Sequence, residues 1–376
     1  MLSPTRPGLK AAHLTTVWAS KFAALQRCIL REAASVGQQE PLLPQSPRSF
    51  VGTAVHKLFE RAAVDPSFSL EEADLASDWD EEIGLINAFL SSSYYMQGML
   101  PLSRSIPNLG LIRARTILRL KEGGKPTPLP KTKLTPGRTK TFPGRLSNKN
   151  DTVVGIPDQI TRAASGAIIS DYKTGITADY HGSFWDDYEI QLKLYAALFH
   201  ISTDHWPVEL QLHGLDGSIH KIDFSADECT KLMFKAETLA SLLQTVTLNL
   251  STSVGSQVAA STPSQQTCRF CAFRPGCVSY LRHCFQDHPL SECDLAGSLQ
   301  GWKRFGNGEL LIELKTRSDV VRIRNVPSVP HITDALNSSK PNQNIIVFNV
   351  ASFDKQPTLF SPTAYTAIHI YDDFNE

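Results

Sequence analysis

Gly155-Ile156-Pro157-Asp158 and, a short stretch later, Ser170-Asp171-Tyr172-Lys173-Thr174-Gly175 hold the densest chemistry of the chain. Val153 to Lys173 reads as two strands around a turn of small residues, Ala163-Ala164-Ser165-Gly166. A turn centred between residues 164 and 165 sets Asp158 opposite Asp171, and directly opposed residues of an antiparallel pair have Cβ atoms about 4.5 to 5.5 Å apart. Lys173, two residues on, shares that face. Two carboxylates so close repel, and each raises the other's pKa unless a cation lies between them. A divalent metal removes the conflict: Mg2+ or Mn2+, held by one or two carboxylates with water and substrate phosphate, suits such ligands. It polarises a phosphoryl oxygen and lowers the pKa of a bound water. Lys173 adds a point charge able to orient that water or to stabilise charge developing on the phosphate. The hairpin residues alone also allow a plain surface hairpin with an ordinary Asp-to-Lys ion pair.

Outward from the hairpin, Trp185 to His200 reads as an amphipathic helix. Gln191 and Tyr195, in Gln191-Leu192-Lys193-Leu194-Tyr195, are four apart and project from one face of it. Upstream, Gly52-Thr53-Ala54-Val55-His56 lies in a segment of helical periodicity, with Glu60 one turn beyond the histidine. This ordered set resembles the PD-(D/E)xK nuclease superfamily, in particular its RecB-like branch. The resemblance implies an α/β fold with a mixed sheet flanked by helices, and a metal-dependent DNA nuclease that hydrolyses phosphodiester bonds. It implies Asp158, Asp171 and Lys173 as catalytic residues, and His56, Asp158, Asp171 and the backbone carbonyl of Tyr172 as ligands of Mg2+ or Mn2+. Gln191 and Tyr195 become a face that contacts DNA and supports the site. Relatives tend to thread a strand, so the implied substrate is single-stranded or end-bearing DNA. The implied mode is that of an exonuclease in DNA repair, recombination or defence against foreign DNA. Read from the residues alone, His56 also fits a structural histidine, Tyr195 core packing and Gln191 a solvated side chain.

Cys268-Arg269-Phe270-Cys271-Ala272-Phe273-Arg274-Pro275-Gly276-Cys277 has the spacing Cys-x2-Cys-x5-Cys. Seven cysteines, an odd number concentrated late in the chain, fit metal ligation better than a disulfide framework. Three ligands are one short, because structural zinc and iron-sulfur clusters usually take four. Members of the RecB-like branch with an iron-sulfur cluster, the AddB-like proteins among them, take the fourth cysteine from an N-terminal helix ahead of the Gly-x-x-x-His segment. Cys28, in Leu25-Gln26-Arg27-Cys28-Ile29, matches that position but lacks the proline that often follows it. The resemblance therefore implies a 4Fe-4S cluster on Cys28, Cys268, Cys271 and Cys277. The competing reading is Zn2+, with Cys284, His283 or Cys293 as fourth ligand and Cys28 a buried apolar thiol. Cys229 takes no part in either.

Over 376 residues the charged fraction is 20% and the apolar fraction 41%, close to globular averages. Lys plus Arg number 37, as do Asp plus Glu, a balance that taken whole argues against a nucleic-acid binder. It is a cancellation. Ala62 to Ser103 holds eight acidic residues and no Lys or Arg, while Arg104 to Asn150 holds twelve basic residues against the single Glu122. If the acidic block folds away from the basic segment, the DNA-facing side is positive although the molecule is neutral. Helical patterns cover Thr15 to Val36, Ser49 to Ala63, Glu82 to Leu90 and Ala226 to Leu243, and Leu210 to Phe224 reads as a hairpin. The proline-studded stretch 121–150 reads as a basic insertion, either a solvated linker or an arm that engages phosphates.

Two domains follow: a nuclease domain over 1–294 and a β-rich domain over 295–376. The latter's short strands suit a small β-barrel, in one reading of the oligonucleotide/oligosaccharide-binding kind. Lys303, Arg304, Lys315, Arg317, Arg322 and Arg324, interleaved with Trp302 and Phe305, would offer cations and stacking faces to single-stranded DNA; a protein-binding or structural domain reads equally well. No stretch approaches the roughly 20 apolar residues of a membrane span and the N-terminus lacks a secretory layout, so the chain reads as intracellular and cytoplasmic, without a membrane partner. No Walker A pattern occurs, so any unwinding falls to a separate helicase or partner subunit. Two other classes stay open: a non-catalytic DNA-binding subunit, and a zinc-stabilised interaction protein.

Overall fold

The computed structural model describes residues 7–38, 40–65, 67–123, 144–163, 165–174, 183–286, 293–353 and 356–372. Ala164 of the hairpin turn, Gly175 and most of the insertion expected over 121–150 lie outside these residues. β1 (Val17–Trp18) is followed by α1 (Phe22–Arg27), α2 (Ile29–Gly37), α3 (Arg48–Val64), α4 (Glu72–Ser92), α5 (Leu102–Ser105) and α6 (Leu109–Gly123). β2 (Leu146–Ser147), β3 (Val153–Gly155), β4 (Gln159–Ala163) and β5 (Gly166–Lys173) lead to α7 (Ser183–Thr203). β6 (Glu209–Gly214) and β7 (Ile219–Ile222) precede α8 (Ala226–Val246), α9 (Val254–Ala259), α10 (Gln265–Cys268) and α11 (Val278–Gln286). Last come β8 (Leu295–Arg304), β9 (Leu310–Lys315), β10 (Val320–Val326), α12 (Pro330–Ser338), β11 (Asn344–Phe353) and β12 (Gln356–Tyr371).

The strands β4-β5-β6-β7 form a mixed sheet in which only β5 and β6 run parallel. A parallel neighbour requires a crossover, and α7 supplies it. Ile169, Leu210 and Leu212 of this sheet share a core with Leu192 and Leu194 of α7 and Met233 and Ala236 of α8. Truncating one such side chain to Ala costs about 2–5 kcal/mol. The hairpin register runs from Gln159 opposite Ser170 to Ala163 opposite Gly166. It is the register that the turn centre dictates, and it sets Asp158, just ahead of β4, toward Asp171.

Two sequence expectations change. The helix expected over Thr15 to Val36 is a short strand and two helices, broken at Cys28, whose backbone is extended at φ −165° and ψ 108°. Phe22 and Leu25 before the break and Leu30, Ala33 and Ala34 after it are all buried, so the apolar spacing persists through a one-residue interruption. Nor does the acidic block fold away from its basic neighbour. α4 packs with α3 and α6 in one core, and Asp80 pairs with Arg113 at 3.6 Å, Glu72 with Lys121 at 3.0 Å, Asp78 with Arg61 at 2.9 Å and Glu82 with Lys57 at 3.2 Å. Two of these cations belong to the basic block and two to α3, so the acidic helix is met from both sides.

The last five strands close a barrel in the order β10-β12-β11-β8-β9, with α12 inserted between β10 and β11. The outer faces of β11 and β12, through Ile346, Phe348, Ala367 and Tyr371, bury against Leu43, Cys268, Ala272 and Tyr280. The cysteine-bearing segment is thus the seat on which the barrel rests.

Candidate active site

Two close approaches bring the site together. Gly52 opens the turn of α3 that carries His56, and a Cβ there would lie 3.3 Å from Thr174 Oγ1 at the end of β5; the glycine lets the helix reach the strand that bears Asp171. Gly155 of β3 does the same for α7, since its Cβ would meet the Tyr195 ring at 2.6 Å. The absence of side chains at these positions is what permits α3, β5 and α7 to converge.

Within the convergence, His56 Nδ1 and Asp158 Oδ1 are 3.0 Å apart, and the Tyr172 backbone N–H donates to Asp158 Oδ2 at 2.7 Å. Asp171, 2% exposed, accepts from Gln191 Nε2 at its Oδ1 at 3.0 Å. Its Oδ2 lies 2.6 Å from Lys173 Nζ as an ion pair outside hydrogen-bond geometry. Lys173 donates to Gln191 Oε1 at 3.2 Å, so one amide holds the acid and the base of the Asp-x-Lys unit at once. Tyr195 accepts from Gln191 at 2.7 Å and donates to the Ile156 carbonyl at 3.1 Å, tying α7 to the approach to Asp158.

The electrostatics follow from burial against neighbouring charge. Burial pushes the Asp171 carboxyl up to about 6, with the Asp158 charge adding to it and Lys173 opposing. For Lys173, burial works against the ammonium, but Asp171 and Asp158 outweigh it and the pKa stands above its ordinary value. His56 behaves alike: burial disfavours the imidazolium, while the hydrogen bond and charge of Asp158 carry it upward. The centre therefore sets two acidic side chains against the Lys173 ammonium and the His56 imidazole.

The structure gathers His56, Asp158, Asp171, Tyr172, Lys173, Gln191 and Tyr195 into one patch. Of the face expected to contact DNA and support the site, Gln191 is 6% and Tyr195 2% exposed, and their polar atoms are engaged with Asp171, Lys173 and Ile156. The expected ligands are engaged with their neighbours, and among the described residues no three His, Cys, Asp or Glu side chains are grouped to hold a single ion. In chemistry the set fits a hard divalent cation: two carboxylates, an imidazole and a backbone carbonyl, all oxygen or nitrogen donors. Glu60 is exposed and makes none of these contacts.

Sequence reading missed the aromatic supports. The Phe59 ring stacks on Tyr172 with centroids 4.6 Å apart, and Lys173 Nζ sits 4.7 Å from the centre of the Tyr188 ring. Phe59 is one turn from His56, and Tyr188 one turn from Gln191; that spacing was the available signal.

Cys28, Cys268, Cys271 and Cys277 line one small hollow together with Arg31 and Arg274. Cys284, His283 and Cys293 do not line it. Burial raises the Cys268 thiol to about 11 and the Cys277 thiol to about 12, so as bare thiols they keep their protons.

A family model described as the PD-(D/E)XK nuclease superfamily matches residues 19–278. The chain belongs to this superfamily. Its members are in general hydrolytic nucleases that typically use Mg2+ or Mn2+, and the carboxylate pair with Lys173 falls within the matched span. The PD-(D/E)XK match ends before the barrel. No curated protein and no solved structure matches the chain, and no described helix is long and apolar enough to cross a membrane.

Proposed function

We propose that the chain is a metal-dependent deoxyribonuclease that hydrolyses phosphodiester bonds of single-stranded or end-bearing DNA, acting as an exonuclease. The observation that carries this reading is the buried Asp171–Lys173 pair at 2.6 Å beside Asp158, inside a chain of a nuclease superfamily. Asp158, Asp171, His56 and the Tyr172 carbonyl are the groups that would hold Mg2+ or Mn2+. Such a cation supplies Lewis-acid polarisation of the scissile phosphate when bound. Lys173, steadied by Gln191 and the Tyr188 ring, orients the attacking water and offsets charge building on the phosphoryl oxygens. Gln191 and Tyr195 keep Asp171 and Lys173 in register, so the attack geometry is fixed before substrate arrives. An intact acid-acid-base set favours catalysis over a purely DNA-holding role.

The four thiols around the hollow are assigned to a 4Fe-4S cluster of structural role rather than to a zinc ion. Cys28 shares the hollow and the alternative fourth ligands do not. Arg31 also lines the hollow and places a cation beside it. Absorbance near 400 nm that survives Cys28→Ser unchanged would remove this assignment. The nuclease reading is tested with end-labelled linear and circular single strands and duplex, with Mg2+ and Mn2+ varied. Metal-dependent cleavage of linear strands, absent from circles, is expected. Cleavage that persists in Asp171→Ala overturns the site.

A further inference from the structure

The barrel has two walls of opposite character. The wall of β11 and β12 is buried on the cysteine-bearing segment. The other, made by the end of β8 with β9 and β10, faces outward. Along it Gly301 stands beside Glu313 and Glu313 beside Arg322; Lys303 stands beside Leu311; Ser298 stands beside Lys315 and Lys315 beside Val320. The alternating residues Ile312, Leu314 and Ile323 are 0% exposed inside the barrel, so these rungs point out, and Arg324 follows Ile323 outward. Glu313 pairs with Arg322 at 2.7 Å. Among the described residues Lys303, Lys315 and Arg324 form no ion pair. Phe305, 41% exposed, lies at the end of the wall with the Lys303 ammonium 5.6 Å from its ring centre; Trp302, paired with Ile312, belongs to the opposite face.

Unneutralised cations spaced along a sheet beside the exposed Phe305 ring match a chain of phosphates whose bases are available to stack. An acidic peptide would answer the charges and leave the ring without a partner, and a duplex has already stacked its bases on each other. The strand order adds a second reason. β10 runs parallel to β12, the other neighbours are antiparallel, and a helix lies between the third and fourth strands. In five-stranded barrels of the oligonucleotide-binding kind, the second and third strands form the binding face, and here those are β9 and β10.

We propose that the β8–β9–β10 wall is a binding surface for single-stranded DNA, separate from the hairpin centre and standing whether or not that centre cuts. The test uses the full chain in EDTA and the anisotropy of a fluorescein-labelled oligo-dT of about 20 nucleotides, longer than one barrel's site. Lys303→Glu combined with Arg324→Glu is expected to weaken binding at least about tenfold and to reduce the slope of log K against log salt by about 1.4. Phe305→Ala is expected to weaken it about fivefold or more with the slope kept. Unchanged affinity and slope in the charge variant would overturn the proposal. Ultraviolet cross-linking of the unaltered protein to the same strand should give barrel peptides containing Phe305; cross-links confined to residues 19–278 would also overturn it. A chain that binds the strand here but never cleaves defeats the nuclease reading and leaves this surface intact.

Discussion

Arg274 and Asp294, where the cysteine-bearing segment meets the barrel, form an ion pair at 2.7 Å with side chains 3% and 0% exposed. Lys173 and Asp171, on β5, form one at 2.6 Å with side chains 15% and 3% exposed. The two pairs carry the same charges at similar depth, yet they differ in how fully each is satisfied. Arg274 sends its guanidinium to both Asp294 oxygens, to Asn349 Oδ1 and to the Cys271 carbonyl. Asp294 also accepts from Tyr280 and from the Asn349 backbone. Nothing in that network is left to exchange, and it binds the barrel to its seat. Lys173 has only Gln191 and the face of Tyr188 besides its partner, and Asp171 has only Gln191 besides Lys173. A buried pair with so few partners in a low-dielectric setting responds strongly to any charge brought beside it. The difference separates a joint from the proposed reactive centre.

The sharpest way to break this contrast is to remove a member of each pair. Asp171→Ala should lower strand cleavage by at least about a thousandfold, the loss expected for several kcal/mol of transition-state stabilisation. Its shift in urea midpoint should be smaller than that of Arg274→Met. Cleavage near the unaltered rate would end the comparison. Arg274→Met leaves Asp294 buried and unpaired, so stability should fall by about 3–5 kcal/mol in urea unfolding; an unmoved midpoint would show that the network is not the joint.

A third prediction probes the same junction through pH. His369 of β12 contacts the Leu42 carbonyl at 2.8 Å, and burial lowers its pKa from 6.5 to about 4. The unfolded chain takes up a proton at this position before the folded chain does. Its contribution is therefore complete above pH 6.5 and is lost as the pH falls toward about 4, amounting to roughly 3 kcal/mol. Denaturation at stepped pH should show this decline, and His369→Gln should flatten it. The smallest effect belongs to Tyr195→Phe, which deletes the hydroxyl between Gln191 and Ile156. A stability loss of about 1 kcal/mol and a fall in cleavage within about tenfold are expected; a loss as large as that of Asp171→Ala would make Tyr195 part of the chemistry.

Much of the centre was legible because it is local. The hairpin register follows from one turn, and the spacing of Gln191 and Tyr195 places both on one helix face. What escaped was set by contacts between distant residues or by geometry that periodicity does not sense. Cys28 interrupts a helix without a proline or glycine to signal it. β8 lacks a clear alternating pattern, whereas α12, with Pro330 at its start and Ile332, Ala335 and Leu336 on one face, carries a helical signal confined to nine residues. The burial of Gln191 and Tyr195 depends on Gly155, whose missing side chain admits the tyrosine ring. The link between Arg274 and Asp294 is invisible in either segment alone.

By itself the sequence determined the hairpin that opposes Asp158 and Asp171, the helix that carries Gln191, and the spacing of three late cysteines, because each rests on short-range geometry. Only the tertiary structure decided that Cys28 meets those cysteines around one hollow, and that acidic α4 is paired by cations of both α3 and α6. It alone also showed that one barrel wall is covered while the cationic wall stays open. Such outcomes depend on which surfaces meet when the core is buried, and residues far apart in the chain carry no local record of that meeting.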